Sequence, residues 1–165
     1  MINPNSSITL GIDPGLSGAI AFLDLAAGRL EVHDVPTFTL GRGGKMKREV
    51  DTVGLARLID AGGPISHAYV EQVGAMPGQG VASMFAFGKV FGIILGILAA
   101  GFVPLTLVTP QKWKRALGVP AEKDGARARA SQLLPAHAAL WTRVKDDGRA
   151  EAAMIALWGA TGAQS

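Results

Sequence analysis

The chain has no cysteine among its 165 residues, which excludes disulfides, thiolate metal sites and cysteine nucleophiles. Histidine is nearly absent as well. His33, His67 and His137 are scattered without ligand spacing and read as structural. Aromatic residues make up 6% and charged residues 18%, against 48% hydrophobic. That balance is globular and excludes a disordered chain. The length suits one compact domain with a real core and is too short for two comfortable ones. Acids are outnumbered: 13 Asp and Glu face 16 Lys and Arg, leaving a net charge of +3. A mild basic excess fits a polyanionic partner, most simply nucleic acid.

No targeting segment is visible, because the opening MINPNSS is polar and lacks the basic-then-apolar order of a signal peptide. The one long apolar stretch is VFGIILGILAAGFVPLTLV, residues 90–108. Gly101 and Pro104 divide it into a helix and a following strand, and Lys89 lies inside the same helix upstream. We read it as a helix covered on both sides, in a core or a subunit interface, and not as a membrane span.

Apolar periodicity predicts strands at Ile8–Asp13, Gly18–Asp24 and Arg29–Pro36, joined by short glycine-rich links into an antiparallel meander. Thr37–Glu49, with its GRGGKMKRE run, reads as a polar loop. Asp51 can cap a helix carrying Val53, Leu55, Leu58 and Ile59. A fourth strand is expected at His67–Glu71, then the loop GAMPGQG, a helix over 81–100 and a strand over 103–108. Short helices follow near Pro110 and Ala121, and a last helix covers about 147–161. The pattern is a mixed α/β sheet in a single domain.

Four acidic residues stand out, at three places in the chain. Asp13 ends a strand that otherwise reads as buried, and Pro14-Gly15 turns the chain away from it at once. In open α/β sheets ligands sit beyond the carboxyl ends of the strands. Asp13 is therefore either a site residue or the cap of its own D-P-G turn. The following GLSG lacks the lysine of a phosphate-binding loop. Glu71 likewise closes the apolar run AYV, where a carboxylate is costly unless it meets solvent, a partner or a metal. Asp147 and Glu151 lie four residues apart, on one side of the last helix. Alone they would be an acidic helix start favoured by the dipole, with Arg149 as screen. Together the four supply oxygen donors for hard divalent cations such as Mg²⁺ or Mn²⁺, and two such ions suit phosphodiester hydrolysis.

In this order, GIDPGLSGA, AYVEQVGA, the Gly/Ala-rich helix, TPQKWKRALGVPAEKDGARARA and DDGRAEAAMIALWGA resemble the RuvC family of Holliday junction resolvases, nearest the phage and organellar branch. The resemblance runs from about Ile8 to Gly159. It implies an RNase H-like α/β fold: a five-stranded mixed β-sheet flanked by helices, in one domain with its core at about 8–159. It further implies a cytoplasmic, bacterial or phage-encoded homodimer that cuts branched DNA with Mg²⁺ or Mn²⁺, two ions per site. Asp13, Glu71, Asp147 and Glu151 match the family's acids. The last pair is spaced by four and ends in Glu, where bacterial members space by three and end in Asp. Asp147 is preferred over Asp146 because it sits one turn from Glu151. Gly74 stands where well-studied members carry an aromatic wedge, and Met76 or Phe85 are the candidates left for that role.

Lys123, in PAEK, matches a family lysine near the scissile phosphate, and one of Lys112 or Lys114 matches another. Lys112, Lys114 and Arg115 surround Trp113, and a solvated, charged helix face is the other reading of them. Lys45, Lys47 and Arg48 are the remaining candidates for DNA contact, in a glycine-rich loop that reads equally as one ordering on phosphates or as one serving solubility. The expected function is a metal-dependent nuclease for four-way junctions. The alternatives are a junction-binding protein without activity and an actin- or sugar-kinase-type ATPase, for which a second phosphate loop is missing.

Overall fold

A computed structural model describes residues 7–72, 74, 78 and 80–162. Strands β1 (Ile8–Asp13), β2 (Ala19–Asp24) and β3 (Arg29–Asp34) form the expected meander. β6 (Ile65–Glu71) and β7 (Leu105–Val108) add to it in parallel, giving the order β3-β2-β1-β6-β7. Between β3 and α1 (Thr52–Ala61) the chain makes a separate two-stranded sheet, β4 (Thr37–Arg42) and β5 (Lys45–Val50). The remaining elements are α2 (Val81–Ala100), α3 (Pro110–Ala116), α4 (Gly125–Leu133), short 3₁₀ turns over Pro135–Trp141 and Val144–Asp146, and α5 (Asp147–Ala160).

Residue alternation divides the core. Leu10, Ile12, Ile20, Phe22, Ala68 and Val70 face α1 and α2, meeting Leu55, Ile59, Val90, Ile94 and Leu98. Ala19, Ala21, Leu23, Tyr69 and Val108 face the other way, onto α5 and Trp113. Since side chains alternate along a strand, Asp13 shares the face of Gly11, and Glu71 that of Tyr69. Both therefore look toward α5. The approach of α5 is close because Gly11 has no side chain: a Cβ there would lie 2.1 Å from the Ala152 carbonyl oxygen and 2.3 Å from the Ala156 nitrogen. Gly11→Ala is expected to cost about 3 kcal/mol or more, since backbone and not a flexible side chain would have to move. An unshifted thermal midpoint would contradict this packing.

Several boundaries differ from the sequence reading. The expected loop at 37–49 is the β4–β5 hairpin. Its polar composition hid the ladder, and Gly43 and Gly44, at φ 55° and 75°, make the tight two-residue turn. β7 begins at Leu105, not Val103, because the Val103 amide donates to the Leu98 carbonyl and closes α2 instead. The helix expected near Ala121 starts at Gly125, after a turn in which the Gly125 amide donates to Glu122. Asp51 caps α1 as expected, accepting from Gly54 N at 2.8 Å.

Candidate active site

The parallel pairing of β1 and β6 sets Ile12 beside Val70, so the next residues, Asp13 and Glu71, leave the sheet side by side. α5 crosses the same end. Gly148 lies against Asp13, where a Cβ would come within 2.9 Å of Asp13 Oδ2, and Glu151 follows one turn later. One carboxylate oxygen from each of Asp13, Glu71 and Glu151 lies within 4.8 Å of the others. Three elements distant in sequence thus converge on one acidic cluster.

α3 completes the surroundings. It starts directly after β7, whose Val108 pairs with Glu71, and its Thr109 cap accepts from the Lys112 amide. That launch point brings two consecutive side chains onto the cluster. Buried Trp113 donates its indole N–H to Glu71 Oε1 at 2.8 Å. Lys114 Nζ stands 2.7 Å from Glu151 Oε1 and 5.1 Å from the centre of the Trp113 ring.

The electrostatics are unbalanced. Burial, then the charges of Glu151 and Glu71, push the Asp13 carboxyl well above the ordinary range, with Lys114 opposing. Burial also raises Glu71, opposed by the Trp113 hydrogen bond. Lys114 is raised in turn: burial disfavours its charge, but the Glu151 hydrogen bond and the charges of Glu151, Glu71 and Asp13 outweigh it. Three carboxylates share a single ammonium. A donor set of clustered, partly desolvated carboxylate oxygens fits Mg²⁺ or Mn²⁺, and the excess negative charge is what such a cation would neutralise.

Asp147 stands apart from the cluster. Each residue advances about 100° round a helix, so Asp147 lies about 40° further than Glu151 from the line that faces the sheet. Its carboxylate goes to α4, where Arg127 Nε donates to Oδ1 at 2.6 Å, and the same guanidinium also holds Asp124. Asp146 is also engaged elsewhere. Arg143 hydrogen bonds, against burial, hold it down to about 2. Arg149 does not screen Asp147 and Glu151. It makes a two-pronged pair with Asp34 of β3, at 2.6 and 2.7 Å.

The cations divide similarly. Lys112 Nζ lies 5.5 Å from the Trp158 ring centre. Arg115 and Lys123 are exposed and make no ion pair among the described residues, Lys123 on the loop before α4. Lys47 pairs with Glu49 at 3.0 Å, and Glu49 also accepts from Lys89 of α2. Arg48 reaches into the turn after Asp13, donating to the Leu16 carbonyl and lying 3.5 Å from Ser17 Oγ. The side chain of Lys45 lies outside the described residues, as does Met76. A Cβ at Gly74 would meet nothing within 4 Å among the described residues, and Phe85 is exposed on α2. Of the histidines, His67 Nε2 bridges to Thr106 Oγ1 at 2.8 Å, His137 Nε2 sits 3.2 Å from the Gly28 carbonyl, and His33 Nε2 lies 3.8 Å from Glu31 Oε2. Beside Asp13 a cavity of about 400 Å³ opens between residues 13–18 and Ser83, Ala86 and Phe87 of α2.

The fold has counterparts among solved structures. One is Thermus thermophilus RuvC in complex with a Holliday junction substrate, with a TM-score of 0.57 at 15% identity over 94% of this chain and 97% of that one. The fold is RuvC-like. A second Thermus thermophilus RuvC structure gives a TM-score of 0.56 at 18% identity, over 94% and 97% of the two chains. The fowlpox virus Holliday junction resolvase follows at 0.47 and 14%, over 94% and 98%. No family model and no curated protein matches the chain. At such identities the RuvC likeness establishes the fold alone.

Proposed function

We propose that this chain is a metal-dependent endonuclease that cuts four-way DNA junctions by paired phosphodiester hydrolysis. The observation that carries the proposal is the convergence of Asp13, Glu71 and Glu151, with donor oxygens within 4.8 Å of one another, at the open end of a RuvC-like sheet. In this reading those three residues hold Mg²⁺ or Mn²⁺. When bound, a pair of such ions supplies the Lewis acidity that phosphodiester hydrolysis needs. Asp147 completes the set once it exchanges Arg127 for the site.

The protein's own groups do the rest. Trp113 fixes one oxygen of Glu71 and thereby orients the other. Lys114 offers an ammonium to the phosphate as negative charge develops on it. Lys123, from the exposed loop, adds a second. Arg115, Lys112 and Lys47 bind the flanking backbone, and this contact should weaken with salt. The protein works in the cytoplasm of a bacterium or a phage-infected cell. Incubating the purified chain with a synthetic four-way junction, with and without Mg²⁺, tests the whole reading. Symmetric nicks that require the metal are expected, and an intact junction would end it.

The enzyme in this reading is a two-fold dimer through α2, matching the two equivalent strands of a junction. Val90, Ile94 and Leu98 are buried on the sheet. The opposite stripe stays open: Val81 is 84% and Phe85 76% exposed, and a Cβ at Gly88, Gly92 or Gly96 would meet nothing within 4 Å. This is an apolar face smooth enough for a second helix to approach closely. A charged residue in place of buried Ile94 should therefore prevent folding, while Phe85→Asp should yield a folded monomer by light scattering. A wild-type monomer at micromolar concentration that still makes paired nicks would remove the dimer.

A further inference from the structure

The β4–β5 hairpin carries four basic residues, Arg42, Lys45, Lys47 and Arg48, against the single acid Glu49. Its excess equals the +3 of the entire chain, so the rest of the protein is neutral in balance. The ladder sets Phe38 opposite Glu49 and Leu40 opposite Lys47, which places all four on one face. On that face Phe38 and Leu40 are 45% and 47% exposed, and the Lys47 side chain is 66% exposed. Its one carboxylate is already satisfied by Lys89 and Lys47. The result is a phenyl ring and an aliphatic side chain beside a cation, open to solvent.

The other face fixes where this surface stands. Arg48 donates to the Leu16 carbonyl, with Ser17 Oγ at 3.5 Å and Thr37 Oγ1 at 3.4 Å. Leu16 and Ser17 belong to the turn that follows Asp13, so the base of the hairpin is tied to the acidic cluster. On the Phe38 face of the same base, Lys89 of α2 donates to Glu49. The Gly43-Gly44 turn keeps the ladder paired out to Arg42 and Lys45.

We propose that the β4–β5 hairpin is a platform for unpaired DNA, with Phe38 and Leu40 taking the face of an unstacked base and Lys47 an adjoining phosphate. Charge selects this occupant. The same hairpin of a second copy would set its own +3 excess against this one, whereas a nucleic-acid strand brings the opposite sign, and aromatic faces accept any base. The proposal rests on the reading of the chain as a junction nuclease, but its test separates the two.

The test uses the full chain without divalent ions, a single-stranded oligonucleotide and a four-way junction, each carrying 2-aminopurine, the junction at its crossover. Phe38→Ala should weaken binding of the oligonucleotide about tenfold and remove most of the 2-aminopurine response in both, with an unchanged salt slope. Lys47→Gln should keep the fluorescence response and lower the salt slope by about one. Phe38→Trp should restore binding, its indole being quenched by the strand. Circular dichroism checks that each variant folds. Wild-type affinity and response in both Phe38→Ala and Lys47→Gln would overturn the platform. A change of oligomeric state in Phe38→Ala would also overturn it, assigning the face to a second copy. A wild type that binds the strand through Phe38 but cuts no junction in Mg²⁺ would remove the nuclease reading and leave the platform standing.

Discussion

Glu71→Gln and Asp13→Asn should each lower junction cleavage in Mg²⁺ by more than about a hundredfold, a loss that even outer-sphere substitutions approach, while junction binding survives. Each change removes a charged oxygen donor and keeps the shape of the side chain. Binding rests mainly on cations and phosphates, and neither acid contributes to it. Stability should move the other way. Burial and mutual repulsion raise both acids in the folded state. Over the interval between the ordinary and the raised pKa, the fold keeps protons that the unfolded chain has lost. Stability of the metal-free protein therefore falls as pH rises through that interval. Wild type should melt at a higher temperature in mildly acidic than in neutral buffer, Mg²⁺ should offset the loss at neutral pH, and both variants should flatten the slope. Asp146 acts in a separate window. Depressed to about 2 by Arg143, it stabilises the fold above the ordinary carboxylate range and gives that up only as pH falls toward its own value. Unchanged cleavage in either variant would remove the acidic cluster as a metal site, and a pH slope identical in wild type and both variants would remove the raised acids.

These two acids were legible in the sequence because strand-ending carboxylates after apolar runs have few other uses, and period-two alternation puts both on one face. Glu151 was legible through its place on the last helix. Asp147 was not, since a spacing of four leaves about 40° of rotation, and the choice between site and Arg127 depends on where α4 lies. The hairpin was hidden by composition. TFTLGRGGKMKREV has the turn glycines of a hairpin but too few apolar residues to show an alternating pattern, and its pairing is held by anchors on the Asp13 turn and α2. Trp113 was seen as an aromatic among cations. That its N–H would serve Glu71 follows from β7 ending beside β6, a tertiary relation that no local pattern records. For the same reason the sequence drew attention to Lys123, whereas the fold sets Lys114 against the carboxylates.

Lys114→Ala should reduce the rate of cleavage of bound junction by about a hundred- to a thousandfold, the range expected when one preorganised donor to developing charge is lost. Its ammonium is held on two sides before any substrate arrives, 2.7 Å from Glu151 and 5.1 Å from the Trp113 ring centre. It therefore needs little reorganisation to serve a phosphate beside the cluster. Removing it also leaves three carboxylates without their one cation, so the metal-free protein should lose stability at neutral pH and recover part of it in Mg²⁺. Lys123→Ala, on an exposed loop, should slow the bound step less and spare stability. Junction affinity should fall only slightly in both, because each is one contact among many. Single-turnover rates at saturating protein separate the step from binding. If Lys114→Ala weakened binding while sparing the single-turnover rate, Lys114 would be a backbone contact and the developing charge would have to be met elsewhere, with Lys123 next in line.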